Sequence, residues 1–162
     1  MSQTVANAVT VIYVDADACP VKEEVYRVAR RCDLKVLLVA NTWMRLPLDR
    51  RFELVVVGEG PDEADDWIAE HAGGGDIVIS ADIPLAARCL ENGAQVLDPR
   101  GRVFSEDSIG TALADREVLS GLRDAGLIGG GPPPFAARDR SQFLQSLDRA
   151  VQQARRSATG EG

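Results

Sequence analysis

The sequence predicts an α/β protein with a mainly parallel central sheet and helices on both faces. Three observations point there. Short apolar runs at 8–14, 35–40, 53–57, 76–80 and 94–97 read as buried strands. Four of them are followed by a helical pattern, and strand-then-helix units in series build a parallel sheet. Several runs end directly in acids, the usual layout of an α/β site outside the carboxyl ends of the strands.

Composition sets the outer bounds. At 162 residues the chain is the size of one domain, placed at 8–157, with 1–7 and 158–162 expected to be disordered. A hydrophobic fraction of 45% and a charged fraction of 27% are those of an ordinary soluble domain. No apolar run approaches a membrane span and no basic-then-apolar leader opens the chain, so a cytoplasmic location without membrane contact is expected. Cys19, Cys32 and Cys89 are odd in number and lack CxxC spacing, which suggests neither a disulfide framework nor a zinc site. Cys32 and Cys89 read as small core residues. Cys19 lies beside acids near a helix start, where a thiolate could be stabilised. The sole histidine, His71, sits in another helix, so that thiol lacks a base.

Net charge is −7, which argues against non-specific nucleic-acid binding by the whole surface. Sixteen of the eighteen basic residues are Arg, several of them paired, as in Arg30-Arg31 and Arg50-Arg51. Arg presents a planar fork suited to phosphate. A GC-rich genome would give the same bias.

The elements follow in order. The run Ala8 to Val14, β-branched with a Tyr, is the first strand, and it ends in Asp15, Asp17, Cys19 and Pro20. Pro20 suits the first turn of a helix, where its missing N–H has no partner to lose. Val21 to Cys32 carries apolar residues at 21, 25, 28, 29 and 32, the spacing of an amphipathic helix. Lys35–Ala40 is a second strand, ending in Asn41-Thr42. Trp43 to Arg51 has no clean period and contains Pro47. It reads as an irregular connection, and Trp43, Met44 and its arginines make it a candidate substrate-facing loop. Glu53–Val57 is a third strand. The helix from Asp62 to His71 opens with four acids within five residues. Capping and the helix dipole account for one or two of them. Gly73 to Gly75 stop this helix, and Asp76–Ser80 is the fourth strand, running into Asp82 and a helix begun at Pro84. Ala94–Leu97 is a fifth strand, followed by a turn at 98–101. Helical spacing runs from Ser105 to Leu127 with a break near Asp115. Residues 129–134 form a loop, and a last helix spans Arg138–Arg156.

Asp15, Asp17, Asp62, Asp65 and Asp82 come from three places, each at or just beyond a strand end. In a parallel sheet those ends share one edge. Converging carboxylates repel unless a proton or a cation neutralises them. Oxygen ligands without His or thiolate select hard ions such as Mg or Mn, and such a site suits phosphate chemistry. A simpler reading makes one Asp a helix cap and leaves the others solvated.

The strings Asp15-Ala-Asp-Ala-Cys-Pro20, Asp62-x-Ala-Asp65, Ser80-Ala-Asp-Ile-Pro-Leu-Ala86, Pro99-Arg-Gly101, Gly130-Gly-Pro132 and Asp139-Arg140 together resemble the YaiI/YqxD family of bacterial proteins. The likeness runs from about Val11 to Val151. That family is grouped by fold with the PIN-like nucleases, so the resemblance implies a PIN-like three-layer sandwich. It also implies acids that bind Mg or Mn and cut RNA or single-stranded nucleic acid. Carried over by position, Asp15, Asp17, Asp65 and Asp82 would be catalytic and metal-binding, with Asp62 a further ligand. The late acid common in such sites has Asp98 and Asp107 as candidates. Substrate contacts are expected from Asn41, Arg45, Arg50, Arg100 and Arg140.

Two alternatives stand beside this expectation. Asp15-x-Asp17 after a strand also fits a haloacid-dehalogenase-type phosphatase with Asp15 as nucleophile, although Cys19 departs from that signature and no later Lys pairs with a second acid. A non-catalytic metal- or RNA-binding module is the other.

Overall fold

The computed structural model describes residues 9–124 and 134–158. In chain order it contains β1 (Val11–Asp15), a 3-10 turn (Ala16–Ala18), α1 (Lys22–Cys32), β2 (Lys35–Ala40), β3 (Phe52–Val56), α2 (Glu63–His71) and β4 (Ile77–Ile79). It continues with α3 (Ile83–Glu91), β5 (Gln95–Leu97), β6 (Val103–Phe104), α4 (Glu106–Asp124) and α5 (Ala137–Ala158).

The strands form one sheet in the order β3-β2-β1-β4-β5-β6. All pairings are parallel except β5 with β6. The chain lays β1 at the centre, works outward through β2 and β3, and returns to the other side of β1 with β4. The strand order therefore reverses between β1 and β4, and a reversal of this kind opens a crevice at the carboxyl edge.

Side-chain alternation divides the core between the two faces. Ile12, Val14, Val36, Leu38, Ile77 and Ile79 point to one face, against Val25, Val28 and Ala29 of α1 and Phe143, Leu147 and Val151 of α5. Tyr13, Val39, Val78 and Val96 point to the other, against Ile68 of α2, Leu85 and Cys89 of α3 and Ile109 of α4. Two covered faces make a three-layer sandwich, and they explain why the central strands are unbroken apolar runs. No helix among the described residues is long and apolar enough to cross a membrane.

Four local expectations need correction. Pro20 precedes the cap residue Val21 instead of lying inside α1. The backbone turns through Ala16–Ala18 before that helix can start. β6, only two residues long, offers no periodicity to detect, and it returns antiparallel after the turn at 98–101. Finally, α4 runs unbroken past Asp115, where no proline interrupts the ladder. Leu127 and most of the 129–134 loop lie outside the described residues, as do the segments 1–7 and 159–162.

Candidate functional site

The carboxyl edge near the reversal point is assembled from four elements. β1 delivers Asp15, half-buried, one position beyond the fully buried Val14. β4 delivers Ser80, whose hydroxyl donates to Asp15 Oδ2 at 3.0 Å and accepts from the backbone N–H of Asp82 at 3.0 Å. One small side chain thereby bridges the ends of the two central strands. Asp82 is the N-cap of α3, its Oδ1 accepting from the Leu85 N–H at 2.8 Å. Its other carboxylate oxygen accepts no hydrogen bond among the described residues.

Asp65 arrives by a longer route. α2 follows the edge strand β3 and crosses back over β2 and β1 towards β4, burying Ala64, Ile68 and Ala69 against Tyr13 and Val39. That path carries the first turn of α2 over the carboxyl edge. Burial first, then the charges of Asp82, Asp15 and Asp62, push the Asp65 carboxyl up to about 6, with Arg88 pulling the other way. Burial likewise raises Asp15, helped by Asp82 and Asp17 and opposed by the Ser80 hydrogen bond. Asp15, Asp65 and Asp82, three acids from separate elements, thus bear on one another.

The remaining acids lie further out. Asp17 is exposed, and its Oδ2 accepts from the Asn41 N–H at 2.9 Å. Asp62 is exposed before α2 and makes no capping bond. Among the described residues, no three His, Cys, Asp or Glu side chains are grouped to hold a metal ion as they stand. Asp98 is buried and consumed by its own turn, accepting from the N–H groups of Arg100 and Arg102, each at 2.9 Å, and pairing with the Arg102 guanidinium. Asp107 is exposed at the start of α4. Neither bears on Asp15 or Asp65.

Asn41 ties strand ends together: its side chain donates to the Gly58 carbonyl at 2.6 Å. Arg100 and Arg140 stand over the ring of Phe135, 5.5 and 5.0 Å from its centroid. Arg100 also pairs with Asp139 at 3.0 Å, while Arg140 donates to the Pro20 carbonyl at 2.8 Å and approaches Glu24. Arg140 fastens the start of α5 to the loop after β1, and Arg100 fastens it to the turn after β5. Arg45 and Arg50 are exposed in the β2–β3 connection. All three cysteines are free and buried, and burial raises the Cys19 thiol, so it stays protonated near neutral pH.

Ser80 and Arg88 join the site without a direct sign in the sequence. The Ser80-x-Asp82 spacing, a hydroxyl two residues before a cap, was the available signal for Ser80. Arg88 pairs with Asp66 at 2.8 Å across α2 and α3 and carried no sequence signal.

A family model described as "Uncharacterized BCR, YaiI/YqxD family" matches residues 13–153. A "UPF0178 protein" of Rhodopseudomonas palustris strain BisB18 is 55% identical over 148 residues, covering 91% of this chain and 96% of that one. One of Caulobacter sp. strain K31 is 56% identical over 147 residues, covering 91% and 97%. "UPF0178 protein amb2838" of Paramagnetospirillum magneticum is 55% identical with the same coverage. No solved structure matches. The fold is a three-layer α/β sandwich with an acid-lined carboxyl edge. The chain belongs to the YaiI/YqxD family.

Proposed function

We propose that this protein is a PIN-like, Mg- or Mn-dependent nuclease acting on RNA or single-stranded nucleic acid, with its site at the β1–β4 reversal point. The observation that carries this reading is the Ser80 bridge, which ties Asp15 at the end of β1 to the Asp82 backbone at the start of α3, with Asp65 of α2 bearing on both acids. Carboxylates brought together at the edge of a sheet are a cost to the fold unless a cation or proton offsets them.

The donor set fits a hard cation. It is oxygen only, and Mg commonly takes one or two carboxylates, keeps several waters and completes its shell with substrate phosphate, so a closed protein cage is not required. Asp15 and Asp82, held by Ser80 and by the start of α3, would be the fixed ligands, with Asp65 facing them and Asp17 and Asp62 at the rim. When bound there, such an ion supplies activation of water and charge relief at the leaving oxygen of a phosphodiester. Ser80 orients the Asp15 carboxylate, while Arg88 moderates the charge on Asp65.

The phosphatase alternative is less well supported. Its nucleophile would want a lysine at the carboxyl edge. Lys35 begins β2 at the opposite edge and pairs with Glu53, and the Lys22 ammonium donates to the Cys19 carbonyl. A non-catalytic binding module would share the acids and lack turnover.

Calorimetric titration with MnCl2 and MgCl2, wild type beside Asp82→Asn, tests the metal. Asn caps a helix as well as Asp does, so the variant keeps α3 while losing one charged ligand. Binding in the wild type that weakens about tenfold or more in the variant is expected. No heat with either protein would remove the basis of the proposal. RNA turnover lost in Asp82→Asn with RNA affinity retained separates an enzyme from a binding module.

A further inference from the structure

The β2–β3 connection holds three groups that the fold leaves unused. Trp43 is 73% exposed. Among the described residues its ring has no aromatic, cationic or hydrogen-bonding partner, whereas Trp67 stacks on His71 at 3.7 Å and leans on Tyr13. Large aromatic side chains are mostly buried on average, so one left in water without a partner is informative. Arg45 and Arg50 are exposed as well, and neither forms an ion pair among the described residues. Their neighbours differ: Arg30 and Arg51 are both taken up by Asp49, and Arg51 by Asp33 too.

These groups border one feature. The connection walls a groove of about 590 Å³ lined at β3 by Phe52 and Leu54. The loop leaves the sheet at the acid edge, where Asn41, its first residue, donates its N–H to Asp17 at 2.9 Å. Trp43 follows two residues later, within ~7 Å of extended chain.

We propose that the β2–β3 loop is a stacking platform for single-stranded nucleic acid, with Trp43 receiving a base face and Arg45 and Arg50 the flanking phosphates. The choice of ligand rests on the nuclease reading above. Unpaired bases present open faces to an aromatic ring, and duplex bases do not. Two unneutralised guanidinium groups beside an open Trp complement phosphate, and the chain's overall net charge of −7 confines the attraction to this patch. The acids and the platform then divide the work: the loop holds the strand, the edge meets the phosphodiester.

The test is fluorescence anisotropy with a labelled oligo-U of about 12 nucleotides, a length within the range of single-strand binding sites, in EDTA. Trp43→Ala should weaken binding about tenfold or more, while Trp43→Phe, which keeps a ring, retains most of the affinity. The double variant Arg45→Ala/Arg50→Ala should lower the slope of log affinity against log salt by about 1.4. Its readout is independent of Trp43, and both variants alter exposed side chains. No oligo-U binding by the wild type, which would point to a protein partner for this patch, overturns the proposal. Equal binding by Trp43→Ala, or equally tight binding of the annealed duplex, overturns it too. Because the divalent ions are chelated, the result stands apart from the calorimetry. Oligo-U binding without metal binding removes the nuclease reading and keeps the platform; metal binding without oligo-U binding does the reverse.

Discussion

Asp65 is the residue on which the cost of the acid edge is concentrated. Its carboxyl is raised from the usual value near 3.8 to about 6, with burial first and then Asp82, Asp15 and Asp62 as causes. A raised acid means the folded protein binds more protons than the unfolded chain between those two values. Stability therefore falls as pH rises from about 4 to 6 and stays lower above. Asp65→Asn should remove that fall and leave the variant more stable than wild type at pH 7.5, with little difference at pH 4. An unscreened shift of this size would be worth ~3 kcal/mol, and solvent screening brings the expected gain to about 1 kcal/mol. Urea unfolding at the two pH values measures it, and a variant less stable at pH 7.5 would show that Asp65 is a structural anchor. The acids themselves were legible in the sequence, because Asp directly after an apolar run is a short-range pattern. Their grading was not. Asp15 meets Ser80 across 65 positions, and Asp17 meets Asn41 across 24. Only the sheet order decides that Asp15, Asp65 and Asp82 bear on one another while Asp98 is consumed by a turn.

At the scale of elements, α5 meets the turn after β5 in one close backbone approach. Gly101 has φ +90°, and a Cβ there would lie 2.7 Å from the backbone carbon and oxygen of Gln142. The Ser146 hydroxyl donates to the Gly101 carbonyl at 2.6 Å, and Arg100 and Arg140 bracket Phe135 just beside it. The turn after β5 and the body of α5 therefore touch backbone to backbone. Gly101→Ala should cost about 2–4 kcal/mol, combining the left-handed penalty with the displacement of α5. Denaturant unfolding reads the loss; an unchanged midpoint would mean the helix shifts freely. The motif strings 99–101 and 139–140 thus have a structural purpose, the docking of α5, that a motif read in isolation does not disclose. Elements with sustained periodicity, such as α1 and β2, were placed from sequence to within a residue. β6 and the 3-10 turn were not, since two or three residues carry no period. The expected break in α4 over-read a local change in pattern that the helix tolerates.

Across the whole molecule, the order β3-β2-β1-β4-β5-β6 places the candidate site between the two central strands. β1 is hydrogen-bonded on both edges, and Ile12 and Val14 are fully buried on one face. β4 is equally enclosed, with Ile77, Val78 and Ile79 all fully buried. β3 is an edge strand, with Val56 half exposed beside the Trp43 loop. Acids that repel one another can hold position only on a scaffold too stiff to relax them, and the enclosed centre of a parallel sheet is that scaffold. The loop proposed to receive the strand hangs from the side of the sheet that can yield. Hydrogen exchange should reflect this division. Slow amides of β1 and β4 should exchange only through global unfolding, matching the free energy from denaturant titration. Those of β3 should open locally with a smaller free energy. Equal protection of β3 and β1 would mean that the sheet opens as one unit. The acid edge and the loop would then share a single rigidity, and a division between a stiff site and a compliant platform would have no mechanical basis.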